Sequence, residues 1–187
     1  SIVGILKDQR GVLDQRYKSS EASLIQVIER RKGTIASLEA TQKRIEELAY
    51  SDVLTGLPNR LMLSQRVDTA IQGARQSDTG FAILFLDLDR FKIINDSLGH
   101  PFGDRVLQLV AERLQTCLRQ TDMLCRLGGD EFVIYLHGGD AQVAESVARR
   151  ILDDMLKPFM LDSMGFSIQC SIGIALYPQD GATLDDL

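Results

Sequence analysis

The chain carries its most unusual chemistry where two neighbouring carboxylates, Asp130 and Glu131, directly follow a pair of glycines, Gly128 and Gly129. Apolar runs flank this stretch, and two such runs joined at glycines predict a β-hairpin, because glycine reaches the positive φ values of a tight turn. Adjacent carboxylates repel one another unless a cation or a proton is shared between them. The alternative is an acidic turn that contacts only water. The sequence thus predicts a hairpin tip with a candidate cation site.

A second pair of acids, Asp87 and Asp89, comes after six consecutive apolar residues, 81–86. Such a run predicts a strand buried on both faces, and the i, i+2 spacing places both carboxylates on one side if the extended conformation continues. A calcium-binding helical-hand loop is a poor explanation, because Lys92 stands where that loop needs Gly and Leu98 where it needs Glu. Mg²⁺ held by one or two carboxylates and by substrate phosphates fits the spacing better.

The following stretch, 90–104, is rich in side chains that can contact bases and phosphates. Asn95 and Asp104 offer a carboxamide and a carboxylate, and a carboxylate that accepts two N–H bonds matches the N1–H and 2-amino edge of guanine. Each residue alone is more typical of a helix cap or of the surface. His100 alone is more often a structural hydrogen-bonding residue than a ligand.

Size and composition exclude several classes of protein. The 187 residues can form one ordinary core plus an appendage. The net charge of −5 is uneven, since residues 1–50 hold nine Lys/Arg against seven Asp/Glu and the remainder twelve against nineteen, so a nucleic-acid partner is not expected. No apolar run approaches the roughly 20 residues of a membrane span. Three cysteines without a C-x-x-C pair predict reduced thiols in the cytosol rather than disulfides or zinc.

Hydrophobic periodicity predicts the elements that position these side chains. Residues 1–50 contain no proline and carry apolar residues at three- and four-residue spacing, which predicts one helix. Pairing of two copies as a coiled coil and packing on the chain's own domain, or on a neighbour, both stay open. A turn cluster at 51–60 marks the start of a second region, 51–187. The elements predicted there are a helix at 60–76, a strand at 81–86, a helix at 103–118, hairpin strands at 123–127 and 132–136, a helix at 141–155 and a strand at 166–177.

The second region contains five short sequence blocks at defined spacings. They are D-x-L-T-G-L-P-N-R at 52–60, F-L-D-L-D-R-F-K-x-I-N-D at 85–96, G-H-x-x-G-D at 99–104, R-L-G-G-D-E-F at 126–132 and S-I-G-I-A at 171–175. Together they resemble the GGDEF-domain diguanylate cyclases over about residues 50–187. The resemblance implies an α+β fold, a two-layer sandwich with a central, mainly antiparallel five-stranded sheet flanked by helices. This palm-like or class III cyclase-like domain would be preceded by the N-terminal helix.

The resemblance also implies catalytic roles. Asp87, the Leu88 carbonyl and Asp130 match the positions that hold Mg²⁺, with Mn²⁺ as an alternative ion. Asp130 also matches the proton acceptor, with Glu131 as a neighbouring acid, and Lys92 matches the cation that stabilises the transition state at the phosphates. Because residues 51–187 are net negative, a metal and Lys92 must offset the charge of a triphosphate locally.

For the substrate, the resemblance implies GTP. Asn95, His100 and Asp104 match the guanosine-contacting positions, and Gly128 and Gly129 belong to the substrate-binding turn. In the implied reaction, the 3′-hydroxyl of one GTP attacks the α-phosphate of another and expels pyrophosphate, twice, to give cyclic di-GMP. One domain has one such site, so two facing copies are needed and the protein would act as a homodimer.

Two other functions stay open from the sequence. One is a catalytically silent GTP- or cyclic di-GMP-binding regulatory module, which in this family is often fused to a phosphodiesterase domain. The other is a structural dimerisation unit in which the coiled coil does the work. Because residue 1 is Ser, we expect a cytoplasmic piece of a longer protein with sensory or phosphodiesterase domains elsewhere, and membrane tethering by those parts stays open.

Arg119 and Asp122 form an R-x-x-D pair with five residues between Asp122 and Gly128, the spacing of the family's inhibitory site. The resemblance implies that cyclic di-GMP binds there as a feedback ligand. The alternative is an Arg that ends a helix and an Asp in a turn. The family continues past the turn at 177–181 into a helix with basic residues that reach the phosphates. This sequence does not include that helix, so the activity of the piece alone stays open.

Overall fold

The structure is a computed structural model that describes residues 2–77 and 79–187, with side chains described except at 1–17, 22, 47, 75 and 77. The chain divides into two compact units, residues 1–47 and 48–187. None of the helices in the described ranges is long and apolar enough to cross a membrane.

The helix predicted for residues 1–50 is confirmed as α1, Ile2–Tyr50. Within the first unit, the apolar side chains that the structure describes are exposed. The described examples there include Leu24, Ile28, Ile35, Leu38 and Ile45, which are 49% to 63% exposed. Because these residues recur at three- and four-residue intervals or their multiples, the first unit presents apolar surface that its own residues do not cover.

The second unit combines helices and strands. Its elements are α2 (Arg60–Ser77), β1 (Phe81–Leu88), α3 (Phe91–Leu98), α4 (His100–Thr116), β2 (Met123–Gly128), β3 (Glu131–Leu136), α5 (Ala141–Met155), β4 (Phe159–Leu161), β5 (Met164–Phe166) and β6 (Cys170–Tyr177). The helix α3 lies within the stretch 90–104 and is not among the elements predicted from the sequence. The predicted α+β fold with an antiparallel sheet, flanking helices and an N-terminal helix is confirmed.

The prediction of five strands in the central sheet is wrong. The sheet has four strands in the order β2-β3-β1-β6, and β4 and β5 pair only with each other. Asp162 and Ser163 adopt positive φ values of 50° and 66°, which is the geometry of a two-residue hairpin turn. The strands β4 and β5 therefore form a separate hairpin. Arg105 of α4 holds the Asp162 carboxylate through both of its terminal nitrogens. The strand predicted from residue 166 consequently begins only at Cys170.

Strand β1 lies inside the sheet, and apolar residues on both of its faces are buried, although Phe85 is 37% exposed. One face packs Leu84 and Leu86 against helices α3, α4 and α5, while the other packs Ile83 against α2. The register then decides where the acids lie. Asp87 at the end of β1 stands opposite Glu131 at the start of β3, so both acidic stretches meet at one end of these two strands.

Candidate active site

The predicted hairpin is formed by β2 and β3, and its tip is the Gly128–Asp130 segment. The pairing shifts register after Arg126, and Gly128 and Gly129 have φ values of 144° and 53°. A Cβ atom at either glycine would meet nothing within 4 Å. The glycines are therefore required by the backbone conformation, and the space beside the turn is open to a ligand.

The carboxylates of the two acidic stretches lie close enough to repel one another. The Leu88 N–H donates to the Asp130 carbonyl at 3.3 Å. The pKa of Asp87 is raised above its ordinary value, by burial first, then by the charge on Asp130 and then by that on Asp89. The structure thus brings Asp87, Leu88, Asp130 and, across the register, Glu131 to one place. A cation at this place would relieve the repulsion.

These residues fit a Mg²⁺ ion that is held jointly with a substrate. In the described part of the chain, no three His, Cys, Asp or Glu residues converge into a metal-binding group. Mg²⁺ does not require such a group, since it is usually bound by one or two carboxylates plus phosphates and water. Asp87 and Asp130 supply that number of carboxylates, and their mutual repulsion favours a cation between them.

Asp89 forms hydrogen bonds to the chain around the start of β6. Its N–H donates to the Gln169 carbonyl at 2.9 Å, and its carboxylate accepts from the Ser171 hydroxyl at 2.8 Å. Asp89 therefore fastens the end of β1 to the start of β6. A cleft of about 790 Å³ opens beside it. The cleft is lined by Asp87, Asp89, Arg90, Ile93, Ile94 and residues 167–169.

The residues predicted to bind phosphate and guanosine lie on α3 and α4. Lys92 and Asn95 are three residues apart on α3, so they share one face of that helix. His100 begins α4, Asp104 follows its first turn, and both residues are exposed. The two helices touch at Gly103, where an added Cβ would lie only 1.9 Å from the Asn95 Oδ1 atom. This contact brings Asn95 close to the chain segment that carries Asp104.

Asn95 carries an unsatisfied acceptor. Its Oδ1 atom is buried and has no hydrogen-bond partner among the described residues. A buried polar atom without a partner costs free energy, and such atoms in native structures often mark a function. The guanosine contact expected of Asn95 from the sequence stays a prediction.

Arg119 and Asp122 lie apart from the carboxylates. They precede β2, whereas Gly128 ends it, so the six residues of the strand separate the two places by about 20 Å. The Asp122 carboxylate accepts from the Arg119 N–H at 3.0 Å, and the Asp122 N–H donates to the Arg119 carbonyl at 3.1 Å. The Arg119 side chain is exposed. The pair thus forms a compact turn that presents a guanidinium to solvent.

Sequence reasoning gave no role to Arg126, a charged residue that is only 8% exposed. Its guanidinium donates to Asp52 at 2.8 Å and, through two nitrogens, to the Gly129 carbonyl at 3.1 and 2.7 Å. Burial alone would raise the pKa of Asp52, but hydrogen bonds from Thr55 and Arg126 and the Arg126 charge outweigh it and lower that pKa. Both residues stand in the quoted sequence blocks, yet their contact follows only from the fold.

Comparison with known proteins places this site in a family. The family model for the diguanylate cyclase GGDEF domain matches residues 49–187. The chain belongs to the GGDEF-domain family.

Three relatives show how far the similarity extends. MucR of Pseudomonas aeruginosa, a bifunctional diguanylate cyclase/cyclic di-GMP phosphodiesterase, is 42% identical over 161 residues, which cover 86% of this chain and 24% of MucR. The solved GGDEF domain of TpbB from the same organism is 41% identical with a TM-score of 0.68, covering 71% of this chain and 78% of that one. The coiled coil and GGDEF domain of DgcB from Caulobacter crescentus, in complex with c-di-GMP, is 25% identical with a TM-score of 0.78, covering 86% of each chain.

The relatives also differ in size from this chain. It spans between 19% and 39% of the length of the first four relatives matched. Two of these are cyclic di-GMP phosphodiesterases by name, and one is a diguanylate cyclase. The family and these relatives support a role in cyclic di-GMP metabolism.

Proposed function

We propose that the chain is the catalytic part of a diguanylate cyclase that condenses two GTP molecules into cyclic di-GMP. The observation that carries this proposal is the meeting of Asp87 and Asp130 at the open Gly128–Gly129 turn. Burial first, and then the charge on Asp130, raise the pKa of Asp87. Such a pair is poorly suited to an inert turn and well suited to a Mg²⁺–triphosphate group.

The base-binding residues support the choice of GTP. The exposed Asp104 carboxylate is an acceptor, and guanine offers N–H donors at N1 and at its 2-amino group. Adenine carries an acceptor at N1, which would face the carboxylate without a hydrogen bond. We expect GTP to be preferred to ATP for this reason.

Each of the two condensations forms one bond, breaks one bond and transfers one proton. The 3′-oxygen of one GTP forms a bond to the α-phosphorus of the other, the bond to pyrophosphate breaks, and the hydroxyl proton passes to an Asp130 carboxylate oxygen. Lys92 stabilises the negative charge on the phosphates. A Mg²⁺ ion held by Asp87, the Leu88 carbonyl and Asp130 would supply charge neutralisation for the same phosphates.

A second copy of the chain is part of this proposal. One domain offers one nucleotide site, so the second GTP must come from a facing domain. The exposed apolar residues of α1 suit pairing of two helices, and DgcB, which was solved with its coiled coil, aligns over 86% of this chain. We propose that α1 brings the two domains together.

The test is incubation of the chain with GTP and Mg²⁺, with the product identified by mass spectrometry. We expect the mass of cyclic di-GMP, loss of product without Mg²⁺, and a slower or absent reaction with ATP. Asp130→Asn serves as the inactive control. Binding of GTP without any cyclic product would contradict cyclase activity and favour the silent regulatory module.

We also propose that Arg119 and Asp122 bind the product. An exposed guanidinium can grip a phosphate through two nitrogens and stack on a guanine ring, which suits cyclic di-GMP. We expect Arg119→Ala to weaken cyclic di-GMP binding in calorimetry at matched salt and to let product accumulate further, with the initial rate little changed. Equal product affinity in parent and variant would refute this role.

A further inference from the structure

Arg126 uses most of its hydrogen-bonding capacity on two partners that are far apart in sequence. One guanidinium nitrogen reaches Asp52, which lies 74 residues away along the chain. Two others converge on the carbonyl of Gly129, the residue before Asp130. A buried arginine with these bonds holds its neighbours in a fixed geometry because moving either partner leaves buried polar groups without a partner.

A hydrogen bond to the Gly129 carbonyl also constrains the backbone of the next residue, Asp130. Carbonyl and amide of one peptide bond lie in a common plane, so fixing the Gly129 oxygen also fixes the orientation of the Asp130 N–H and Cα. Gly129 has a φ of 53° and no Cβ, so its own backbone restricts that plane weakly. The two bonds from Arg126 supply the restriction that glycine lacks.

The Asp52 side of the pair is rigid as well. Its Oδ1 atom also accepts from the Thr55 N–H at 2.9 Å and the Thr55 hydroxyl at 2.6 Å. The same loop lies along the free edge of β2, where the Arg126 N–H donates to the Pro58 carbonyl at 3.0 Å. Asp52 is therefore a fixed anchor rather than a mobile counter-ion.

The loop begins where α1 ends. The Asn59 N–H donates to the Tyr50 carbonyl at 2.9 Å, and the Asn59 side chain donates to the Ala49 carbonyl at 2.8 Å. Short, strong contacts thus run from the last turn of α1 through the loop 51–59 and Arg126 to Gly129.

We propose that Asp52 and Arg126 are positioning residues that orient Asp130 for metal binding and connect the end of α1 to the turn that carries it. This inference rests on the proposed function for its catalytic consequence, but the geometry it describes exists without metal or substrate. Neither residue touches the reacting atoms. They act through the Gly129 peptide.

The test compares Arg126→Lys and Asp52→Asn with a matched control, Arg113→Lys. Arg113 is also a partly buried arginine that donates to backbone carbonyls, those of Asp154, Lys157 and Pro158, but it does so at the opposite end of α4 from Asp104. All three variants are measured as the whole chain. The readouts are Mn²⁺ affinity by electron paramagnetic resonance, deuterium exchange of the amides at 128–131 without metal, and the urea midpoint.

We expect Arg126→Lys and Asp52→Asn to weaken Mn²⁺ binding by about tenfold, the scale seen when the residues that support metal ligands are changed, and to speed exchange at the turn. The control should lower the urea midpoint without changing either readout. The double variant should lose little more affinity than the worse single variant, since both act through one contact. Parent-like exchange and Mn²⁺ affinity in both single variants, or strictly additive losses, would overturn the proposal.

The two proposals fail separately. Absence of cyclic di-GMP from the parent chain would contradict the cyclase activity alone, because deuterium exchange at 128–131 measures the orientation of the turn whether or not the chain turns over GTP. If Arg126→Lys lowers the urea midpoint strongly, Asp52→Asn, which keeps the arginine but removes the charge that anchors it, still decides the outcome.

Discussion

At the scale of single residues, the acids of the candidate site oppose the stability of the domain. The pKa of Asp87 is raised by burial and by the charges on Asp130 and Asp89. A carboxylate whose pKa is raised in the folded state destabilises that state once it ionises, so this cost is present at neutral pH. Residues that bind ligands commonly retain such costs because function requires them.

Replacing one of these acids should therefore separate stability from metal binding. We expect Asp130→Asn to leave the fold intact, to raise the thermal unfolding temperature slightly without metal, and to abolish turnover. Added Mg²⁺ and GTP should stabilise the parent and leave the variant unchanged. Asp68→Asn is the matched control, because Asp68 is an exposed acid on α2 and has no part in the candidate site. Equal stabilisation of Asp130→Asn and parent by Mg²⁺ and GTP would remove Asp130 from the metal site.

At the scale of elements, the residues proposed to bind the base depend on how closely α3 and α4 approach. The approach is set by Gly103, where a side chain would collide with Asn95 and come within 3.2 Å of the Phe91 ring. The helices can hold Asn95 near Asp104 only while position 103 has no side chain. The packing of the two helices thus explains why the second glycine of the G-H-x-x-G-D block, Gly103, is needed.

Gly103→Ala should be harmful although alanine favours helices. We expect it to destabilise the domain by about 1 to 3 kcal/mol through overpacking and to weaken GTP binding. Gly73→Ala is the control, since Gly73 lies within α2 and a Cβ there meets nothing within 4 Å, so that variant should be stabilised by about 0.5 to 1 kcal/mol. Urea unfolding of both variants measures the difference. A Gly103→Ala variant as stable as Gly73→Ala would show that the helices part at little cost.

The loop 51–59 gives a prediction about pH. The pKa of Asp52 is lowered in the folded state, so its contribution to stability is fully present above its unfolded value of about 3.9 and is lost as the pH falls below it. We expect the free energy of unfolding to fall less steeply between about pH 5 and pH 3 in Asp52→Asn than in the parent. Urea titrations at fixed ionic strength measure both slopes. Indistinguishable slopes would mean that Asp52 gains no net stabilisation from Arg126 and Thr55.

At the scale of the whole molecule, the two units have different requirements. The unit at 48–187 has its own core on both faces of the sheet, whereas the described apolar residues of the first unit stay exposed. An isolated helix with an exposed apolar stripe gains stability mainly by packing against another surface. The second copy required by the proposed reaction would provide that surface.

Removal of the first unit should consequently change the assembly of the protein. We expect the whole chain to have about twice its monomer mass in light scattering, by pairing of its helices, and residues 48–187 alone to be monomeric with a lower rate per domain. Leu38→Asp in the whole chain is the companion variant, because it keeps the length and disrupts the stripe. A monomeric parent, or a truncated chain with an unchanged rate at low concentration, would contradict the role of α1.

The amino-acid sequence by itself determined the features that depend on neighbouring residues. The apolar run 81–86 was enough to predict β1, the paired glycines predicted the hairpin turn, and the periodicity predicted α1, α2 and α5. The five blocks were enough to identify the family that the comparison later confirmed. Each of these features follows from local backbone preference or from side-chain period, which consecutive residues specify.

Only the tertiary structure decided what depends on distant residues meeting. The pairing of β4 with β5 instead of with the central sheet, the close approach of Gly103 to Asn95, and the contact of Arg126 with Asp52 all belong to this class. Local sequence cannot specify them, because the free energy of a buried contact depends on which partner the fold brings within hydrogen-bonding distance. Asp52 and Arg126 are both ordinary surface-type residues in the sequence, and the fold pairs a buried Arg126 with a partly buried Asp52 and with the Gly129 carbonyl.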